Sequence, residues 1–499
     1  MLKQLFRTKN LDALLHESEE PQHQLKRALG AFDVVMLGIG AIIGAGIFAT
    51  IGTAAAGDAA RPGAGPALIL SFVVTGLGCG FAALCYAEFA AMVPISGSAY
   101  TYAYSTLGEF IAWIIGWDLI IEYAVGNVAV AISWGNYFKT LVAGFGIIIP
   151  DWLSTDYRTA AHIPGLFESA PHLFGIPIVF NILAFGIVAL ITIVLVIGIR
   201  ESASMNTAMV LLKLVVLAFF VFIGWKYVHP ENWHPFAPNG WAGIQAGAAI
   251  VFFAYIGFDA VSTVAEEVRN PKRDLPIGII GSLIVCTVIY IVVAAVFTGI
   301  IPFNVLVHKL ANEQAEPLTM ALQYANIERW GTIFVGIVAF GSVVAHTAVL
   351  LVFQLGQPRI FFSMARDGLL PQSFAKVHPK FRTPHVTTIL TGVVVGLCSM
   401  FTSIDEMVDL TNIGTLFAFI LVCIGIMILR KRDPDRPRAF RTPWVPVIPL
   451  LGIISCLYLA TGLPVVTWVR FGLWLVVGMV VYFSFGYKNS KLHRAAQSL

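Results

Sequence analysis

Twelve long apolar runs divide this chain and leave it few ways to fold. A helix of about 20 apolar residues crosses the hydrocarbon core of a bilayer and pairs its own backbone groups there. Charged residues make up only 12% of the sequence, whereas soluble domains carry about 25%. We therefore predict an all-α polytopic membrane protein with twelve transmembrane helices. The predicted spans are 31–56, 66–93, 99–138, 177–199, 203–228, 241–269, 276–301, 330–364, 385–402, 410–430, 446–463 and 470–487.

Basic residues concentrate in alternate loops of this predicted topology. The N-terminal segment 1–30 is polar and lacks the apolar core of a signal peptide, so the first span is expected to be retained. The positive-inside rule then predicts that both chain ends are cytoplasmic and that the protein lies in the plasma membrane. The net charge of +3 follows mainly from this asymmetry. We predict the lipid bilayer as a partner and no nucleic acid, and the sequence names no protein partner.

The sequence carries no pattern that is typical of a metal site, a cofactor site or an enzyme. All six cysteines lie within or at the ends of apolar runs and lack CxxC spacing, so they are predicted to be small buried side chains. The sequence has no P-loop signature and no cluster of His, Asp and Glu beside a nucleophile. We therefore predict no cofactor, no metal and no enzymatic activity.

The first apolar run contains four glycines, at Gly38, Gly40, Gly44 and Gly46. Each glycine costs a helix interior about 1 kcal/mol relative to alanine, so a continuous helix is unfavourable here. Broken backbone is tolerated in lipid only where protein or a water-filled cavity pairs its polar groups. The segment therefore predicts a broken helix with a site at mid-membrane depth. Close helix packing is the competing explanation for the glycines.

The sixth span carries a second interruption, at Gly257 beside the intramembrane acid Asp259. The two breaks fall at the same position in two successive units of five spans. Such a pair indicates the binding site of a transporter built from inverted repeats, and since five is odd the second unit would lie inverted. The predicted organisation is a cytoplasmic segment 1–30, a first repeat 31–228, a second repeat 241–430, two further helices within 446–487 and a cytoplasmic tail 488–499.

Two broken helices suit a ligand that carries both charges. The N-terminal end of a half-helix attracts a carboxylate, and the carbonyl end attracts an ammonium group. Together the breaks predict a receptor for the zwitterionic backbone of an α-amino acid. The amino-acid side chain would be recognised separately by neighbouring helices.

Six motifs resemble those of amino acid permeases of the amino acid–polyamine–organocation superfamily, in particular bacterial relatives of the cationic amino acid transporters. They are GIGAIIGAGIF at 38–48, CYAEF at 85–89, PISGSAY at 94–100, GWDLIIEY at 116–123, FFAYIGFDAVSTVAEEVRNP at 252–271 and NIGTL at 412–416. The resemblance covers about residues 28 to 490. It implies a leucine-transporter-like fold, with a 5+5 inverted repeat, broken helices 1 and 6, and two C-terminal helices.

The resemblance also implies a set of substrate-binding residues, most of which act through their backbone. These residues are Ile42, Ile43, Gly44, Ala45, Gly46, Phe253, Ala254, Ile256 and Phe353. The backbone around 44–46 would hold the substrate carboxylate, and the other carbonyls would hold its ammonium group. Tyr255 or Phe258 would form an aromatic gate over the site. Phe353 would favour small or neutral side chains over arginine, unless it packs against the first helix instead.

Lys213 lies deep in the fifth span, where a lysine costs roughly 2.5–3.5 kcal/mol or more and indicates function. By the resemblance, this helix helps form the place where sodium-coupled relatives bind a second sodium ion. A lysine there would replace the cation and could lose and regain a proton, because desolvation penalises its charge. Snorkelling to the cytoplasmic interface is the alternative. Glu122, four residues after Asp118, is a second candidate for proton coupling or a hydrogen-bonded buried acid.

The leading interpretation is proton-coupled import of L-amino acids by alternating access. An amino acid antiporter or a sodium symporter on the same fold is the nearest alternative, and a sensor that binds without flux is a different class. His346 is either a proton carrier or a buried histidine bonded to a neighbour. Asp259 either caps the broken sixth span or binds the substrate directly.

Overall fold

The computed structural model describes residues 5–9, 27–93, 98–198, 203–310, 316–328 and 330–497. Most of the predicted N-terminal segment, and 94–97 of the PISGSAY motif, lie outside the described residues. Within those ranges the chain is predominantly helical. The one described hairpin pairs β1 (His172–Leu173) antiparallel to β2 (Ile176–Pro177), with Leu173 opposite Ile176.

The α-helices are, in chain order, α1 (Ala31–Ile42), α2 (Ile51–Ala56), α3 (Leu68–Met92), α4 (Ser98–Thr106), α5 (Glu109–Ile120), α6 (Gly126–Ala143), α7 (Asp151–Ser154), α8 (Tyr157–Ala160), α9 (Leu166–Ser169), α10 (Ile182–Ile197), α11 (Ala203–Gly224), α12 (Gly240–Val251), α13 (Pro271–Ile300), α14 (Phe303–Leu310), α15 (Pro317–Tyr324), α16 (Gly331–Arg366), α17 (His385–Phe401), α18 (Ile404–Arg432), α19 (Val447–Ala460), α20 (Val465–Val481), α21 (Tyr487–Asn489) and α22 (Lys491–Gln497). A π-helical turn, Gly46–Thr50, precedes α2, and another, Ile121–Val125, joins α5 to α6.

Among the described residues, eight helices are long and apolar enough to cross a membrane, and the bent pair Ala31–Ile42 and Gly46–Ala56 makes a ninth. Three shorter apolar helices, α10, α17 and α19, fall at the predicted spans 177–199, 385–402 and 446–463. The helical, polytopic membrane class is therefore confirmed. The number twelve, the inverted repeat and the division into segments stay predictions.

The third predicted span, 99–138, is not one continuous helix. α4 ends at Thr106, and α5 begins after Gly108, which has a φ of +101°. A Cβ at Gly108 would lie 2.6 Å from the backbone of Phe6, so the N-terminal segment fills the bend. The apolar composition continues through this bend, and composition alone therefore does not reveal it. The eighth predicted span is the single 36-residue helix α16.

The two broken segments lie inside the helical bundle. α13 packs against both α1 and α3, while α16 packs against α6 and α11. The segment Gly240–Glu267 is more completely buried than the other spans, and much of α20 faces outward. The polar backbone of the breaks is thus enclosed by protein, as broken helices in a membrane require.

Glu88 of α3 anchors the linker that precedes the last two helices. Its side chain is fully buried and forms ion pairs with Arg430 (2.7 Å) and Arg438 (3.1 Å). It also accepts a hydrogen bond from the backbone N–H of Thr442 at 2.8 Å. A buried carboxylate with these three partners ties 438–442 to α3.

Replacing Glu88 by glutamine is expected to lower the free energy of unfolding by about 3–5 kcal/mol, because a buried guanidinium loses its counter-charge. The Arg438 side chain is only 1% exposed. Thermal unfolding of the detergent-solubilised protein measures the effect. The control Glu328→Gln changes an exposed acid and should stay within about 0.5 kcal/mol of the parent. Equal stability of the two variants would contradict the expectation.

Candidate substrate and coupling site

The two broken segments touch each other. α1 ends at Ile42, Ile43 is extended (φ −77°, ψ 103°), and the helix axis changes direction by 41° before Gly46. A Cβ at Gly46 would lie 2.2 Å from Ala254 Cα, and one at Gly257 would lie 2.8 Å from the Ala41 carbonyl carbon. Glycine is therefore required where each break faces the other.

The second break follows the end of α12. A 3-10 turn, Phe252–Tyr255, is followed by extended Ile256 (φ −63°, ψ 135°) and by Gly257 with φ +119°. The chain continues as a 3-10 helix, Asp259–Glu267. Both predicted interruptions are thus present at the expected residues.

The other glycines of the first run serve close packing, which was the competing explanation. A Cβ at Gly38 would lie 2.5 Å from Ser282 Oγ, and one at Gly44 would lie 2.6 Å from Val349 Cγ2. Gly40 faces Val210 at 2.9 Å. The run therefore combines a backbone break with tight packing, and the two explanations hold together.

The first break leaves amide groups open. Among the described residues, no acceptor is in hydrogen-bonding position to the N–H groups of Gly44, Ala45 or Gly46. These are the groups that the family resemblance assigns to the substrate carboxylate. An unpaired buried N–H group costs free energy unless a ligand or water pairs it. Consecutive free amides at the start of a half-helix form an anion site.

The carbonyl groups on the other side of the break are already paired. Lys213 Nζ donates to Gly40 O at 2.8 Å and to Ile43 O at 2.9 Å. The Tyr290 hydroxyl donates to Ile42 O at 3.1 Å, so this predicted acceptor of the ammonium group keeps one free lone pair. Lys213 is completely buried, so snorkelling to the interface is wrong for this residue.

The two candidate gate residues pack in different places. Tyr255 is buried against Phe72 and Tyr290, and its hydroxyl donates to Phe72 O at 2.8 Å. Phe258 packs on Tyr86 and on Phe419, with ring centroids 5.0 Å apart for the latter pair. Tyr255 is thus held by α3 and α13, while Phe258 contacts α3 and α18.

Three acids are buried near the second break. Glu122 and Asp259 lie close enough to interact directly, although they belong to different spans. Asp259 Oδ1 accepts a hydrogen bond from Gly257 N–H at 3.3 Å, so Asp259 is bonded to the backbone of the break. Asp118 lies against Gly414, and within the described chain neither of its carboxyl oxygens has a hydrogen-bond partner.

His346 is hydrogen-bonded at both ring nitrogens. Nε2 lies 2.7 Å from Ser133 Oγ, and Nδ1 lies 2.6 Å from the Ser342 carbonyl oxygen. A neutral ring with its proton on Nδ1 satisfies both bonds, and the ring contacts Phe48 and Tyr137. This arrangement favours the interpretation of His346 as a bonded buried histidine.

Phe353 lies one turn of α16 after Val349, the residue that contacts Gly44 in the first break. Its ring meets Tyr123 edge-to-face at 5.6 Å and approaches Gly126, both on the third predicted span. Val349 of the same helix is the residue that packs on Gly44. The contact with the first helix, which was the alternative for Phe353, is therefore made by Val349.

Sequence reasoning missed Val349, Tyr290 and Asn412. The Asn412 amide donates to Ala249 O at 2.8 Å and to Ile250 O at 3.3 Å, and so supports the end of α12. Its place in the NIGTL motif was a usable signal. Val349 and Tyr290 have none, because apolar and aromatic residues are ordinary in an apolar run.

Comparison with known proteins identifies the family. The amino acid permease family model matches residues 29–485. The branched-chain amino acid permease BcaP of Bacillus subtilis (strain 168) is 48% identical over 490 residues, which cover 98% of this chain and 99% of the relative. The methylthioribose transporter of the same organism is 43% identical over 493 residues, covering 99% and 100%. The vacuolar cationic amino acid transporter 4 of Arabidopsis thaliana is 35% identical over 443 residues, covering 87% and 68%.

A family match over nearly the whole chain agrees with the broken helices, the open amides and the enclosed polar backbone. The resemblance stated from the motifs is therefore confirmed, as is the prediction that the chain is not an enzyme. The chain belongs to the amino acid permease family and is a multi-pass membrane transporter.

Proposed function

We propose that the protein imports L-amino acids together with protons by alternating access. The observation that carries this proposal is the bond from Lys213 to the carbonyls of Gly40 and Ile43 (2.8 and 2.9 Å). The ammonium group holds the break as a bound cation would, and proton loss removes the charge and weakens both hydrogen bonds, because charge-assisted bonds are the stronger ones. The same contacts argue against sodium coupling, because the lysine already occupies these carbonyl groups.

The substrate is an α-amino acid with a neutral side chain. The free amides of Gly44, Ala45 and Gly46 are suited to its carboxylate, and the carbonyls near Ile42 and Ile256 are suited to its ammonium group. Phe353, Tyr123 and Val349 present apolar surface next to this cradle. An apolar surface disfavours a guanidinium, which would lose its hydration there. One relative is named a branched-chain amino acid permease, which agrees with this choice.

Glu122 is the second proton-coupling residue in this proposal. Two buried carboxyl groups in contact cannot both be ionised at low cost, so Glu122 and Asp259 share a proton. Because Asp259 is bonded to Gly257 N–H within the break, the protonation of the pair would affect the shape of the sixth span. Tyr255 and Phe258 act as gates on the two sides of that break.

The proposed location is the plasma membrane, with both chain ends in the cytoplasm. The proposed organisation is the inverted pair of five-helix repeats, 31–228 and 241–430, followed by two more helices. The breaks then lie at the interface of the repeats, where alternating access exposes them to each side in turn.

Uptake into proteoliposomes tests the function. Labelled leucine, alanine, arginine and methylthioribose are offered under an inward proton gradient, an inward sodium gradient and no gradient. We expect accumulation of leucine and alanine only with the proton gradient. Exchange that is independent of any gradient would make the protein an antiporter, and binding without flux would make it a sensor.

Replacing Phe353 by serine is expected to change the substrate preference towards arginine. Serine enlarges the pocket and supplies a polar group. The lost apolar contact should in addition lower the selectivity for leucine over arginine by about 10- to 200-fold. The ratio of arginine to leucine uptake measures the change. Phe361→Ser, at another phenylalanine of α16, is the matched control. An unchanged ratio would remove Phe353 from the pocket.

A further inference from the structure

A groove lies at the exposed start of α13, away from the candidate substrate site. Its volume is about 540 Å³, within the roughly 300–1,000 Å³ typical of small-ligand pockets. Lys272 and Arg273 line one end, and Ile277, Ile280 and Gly281 line the floor. Ala439 and Phe440, in the linker between α18 and α19, form the opposite wall.

The linker wall is held in place on both sides. Arg438 is ion-paired to the buried Glu88, and the Thr442 hydroxyl donates to Leu84 O at 3.0 Å. Phe440 therefore lies between two anchored residues. A groove with such a wall is part of the folded protein rather than a gap left by a loose loop.

The charged end of the groove is positive and uncompensated. Lys272 and Arg273 are exposed, and in the part of the chain that the structure describes neither forms an ion pair or a side-chain hydrogen bond. The next acid on the helix, Asp274, is buried and does not line the groove. Arg441, which follows Phe440, is also exposed. These groups complement an anion that carries its charge at the membrane surface.

The floor of the groove continues as an apolar stripe along α13. Ile277, Ile284 and Val288 are spaced by one or two helical turns and are 41%, 58% and 57% exposed. Gly281 leaves a notch in this stripe, because a Cβ there would touch only Val35 Cγ2, at 3.4 Å. A soluble anion would use the positive end alone, whereas a lipid would use the positive end and the stripe together.

We propose that this groove binds one anionic phospholipid, with the headgroup phosphate at Lys272 and Arg273 and an acyl chain along Ile277, Gly281 and Ile284. The site has a mechanical consequence. α13 begins four residues after the 3-10 helix Asp259–Glu267, which is the inner half of the second break. A lipid bound at the start of α13 would therefore hold the end of that half of the break.

Native mass spectrometry of the purified, full-length protein tests the site. The protein is titrated with phosphatidylglycerol, with phosphatidylcholine and with soluble glycerol phosphate. Phosphatidylglycerol should bind more tightly than phosphatidylcholine, and glycerol phosphate should not displace it. Since a basic residue near a membrane surface contributes about fivefold to anionic lipid binding, Lys272→Gln with Arg273→Gln should weaken phosphatidylglycerol about 25-fold.

Two matched controls separate this site from diffuse surface charge and from folding. Lys488→Gln with Lys491→Gln removes the same charge from exposed cytoplasmic lysines and should weaken binding by about twofold or less. Gly281→Leu fills the notch and should weaken binding, while Gly472→Leu, at a glycine whose added Cβ would meet no atom within 4 Å, should not. Bound phosphatidylglycerol should also slow hydrogen exchange in 259–270. Equal effects of the two double variants, full binding by the Lys272/Arg273 variant, or competition by glycerol phosphate would each overturn the proposal.

Discussion

Replacing Lys213 by methionine is expected to abolish amino acid accumulation driven by a proton gradient. Each hydrogen bond from a charged donor contributes about 1.5–3 kcal/mol, so losing both bonds shifts the balance between states by about a hundredfold or more. Methionine keeps the apolar length of the side chain, so the packing between α11 and α1 is retained. Substrate exchange at equal pH on both sides should persist, because it needs no net proton movement.

Uptake by proteoliposomes under an inward proton gradient, compared with exchange at uniform pH, separates these two activities. Lys226→Met is the matched control, since Lys226 is an exposed lysine just beyond the same helix. Its variant should behave like the parent. If Lys213→Met still accumulated substrate against a gradient, Lys213 would not be the coupling residue, although the amino acid site would be unaffected.

Replacing Gly46 by alanine is expected to separate the two breaks and abolish transport. The added Cβ would lie 2.2 Å from Ala254 Cα, and backbone cannot rotate away as a side chain can. Overpacking of this kind costs about 1–3 kcal/mol of stability. The larger effect falls on binding, because the free amides of 44–46 and the carbonyls of 253–256 would no longer face one ligand. Gly257→Ala should act similarly, because its φ of +119° disfavours any side chain.

Substrate binding by isothermal titration and uptake together measure this effect. Gly336→Ala is the control, because no atom lies within 4 Å of a Cβ at that position of α16. Alanine in a helix should there be neutral or stabilising by up to about 1 kcal/mol. Wild-type affinity in Gly46→Ala would show that close contact between the breaks is not needed for the site.

The local properties of the chain were predictable from sequence. The apolar runs predicted the helical membrane class, and the glycine content of 38–48 predicted a break within that run. Gly257 beside Asp259 predicted the second break. The bend at Gly108 was not predictable, because a backbone segment around Phe6, about a hundred residues earlier, creates the close approach.

Roles that depend on contacts between distant spans needed the tertiary structure. The sequence indicated that Lys213 lies in a membrane span, yet both snorkelling and burial were compatible with it. Only the packing of α11 on α1 brings Nζ to Gly40 O and Ile43 O. Likewise, the sequence could assign helix packing to Phe353, and the structure gives that contact to Val349.

By itself, the sequence determined that two membrane spans must break and that their backbone would be exposed, because glycine content and apolar length act within one segment. Only the tertiary structure decided which groups meet at those breaks: Gly46 against Ala254, Lys213 on the first break, and Glu122 beside Asp259. Partners more than a hundred residues apart are selected by the rotation and depth of each helix in the bundle. A shift of one residue turns a helical side chain by about 100°, and residue type alone does not record that choice.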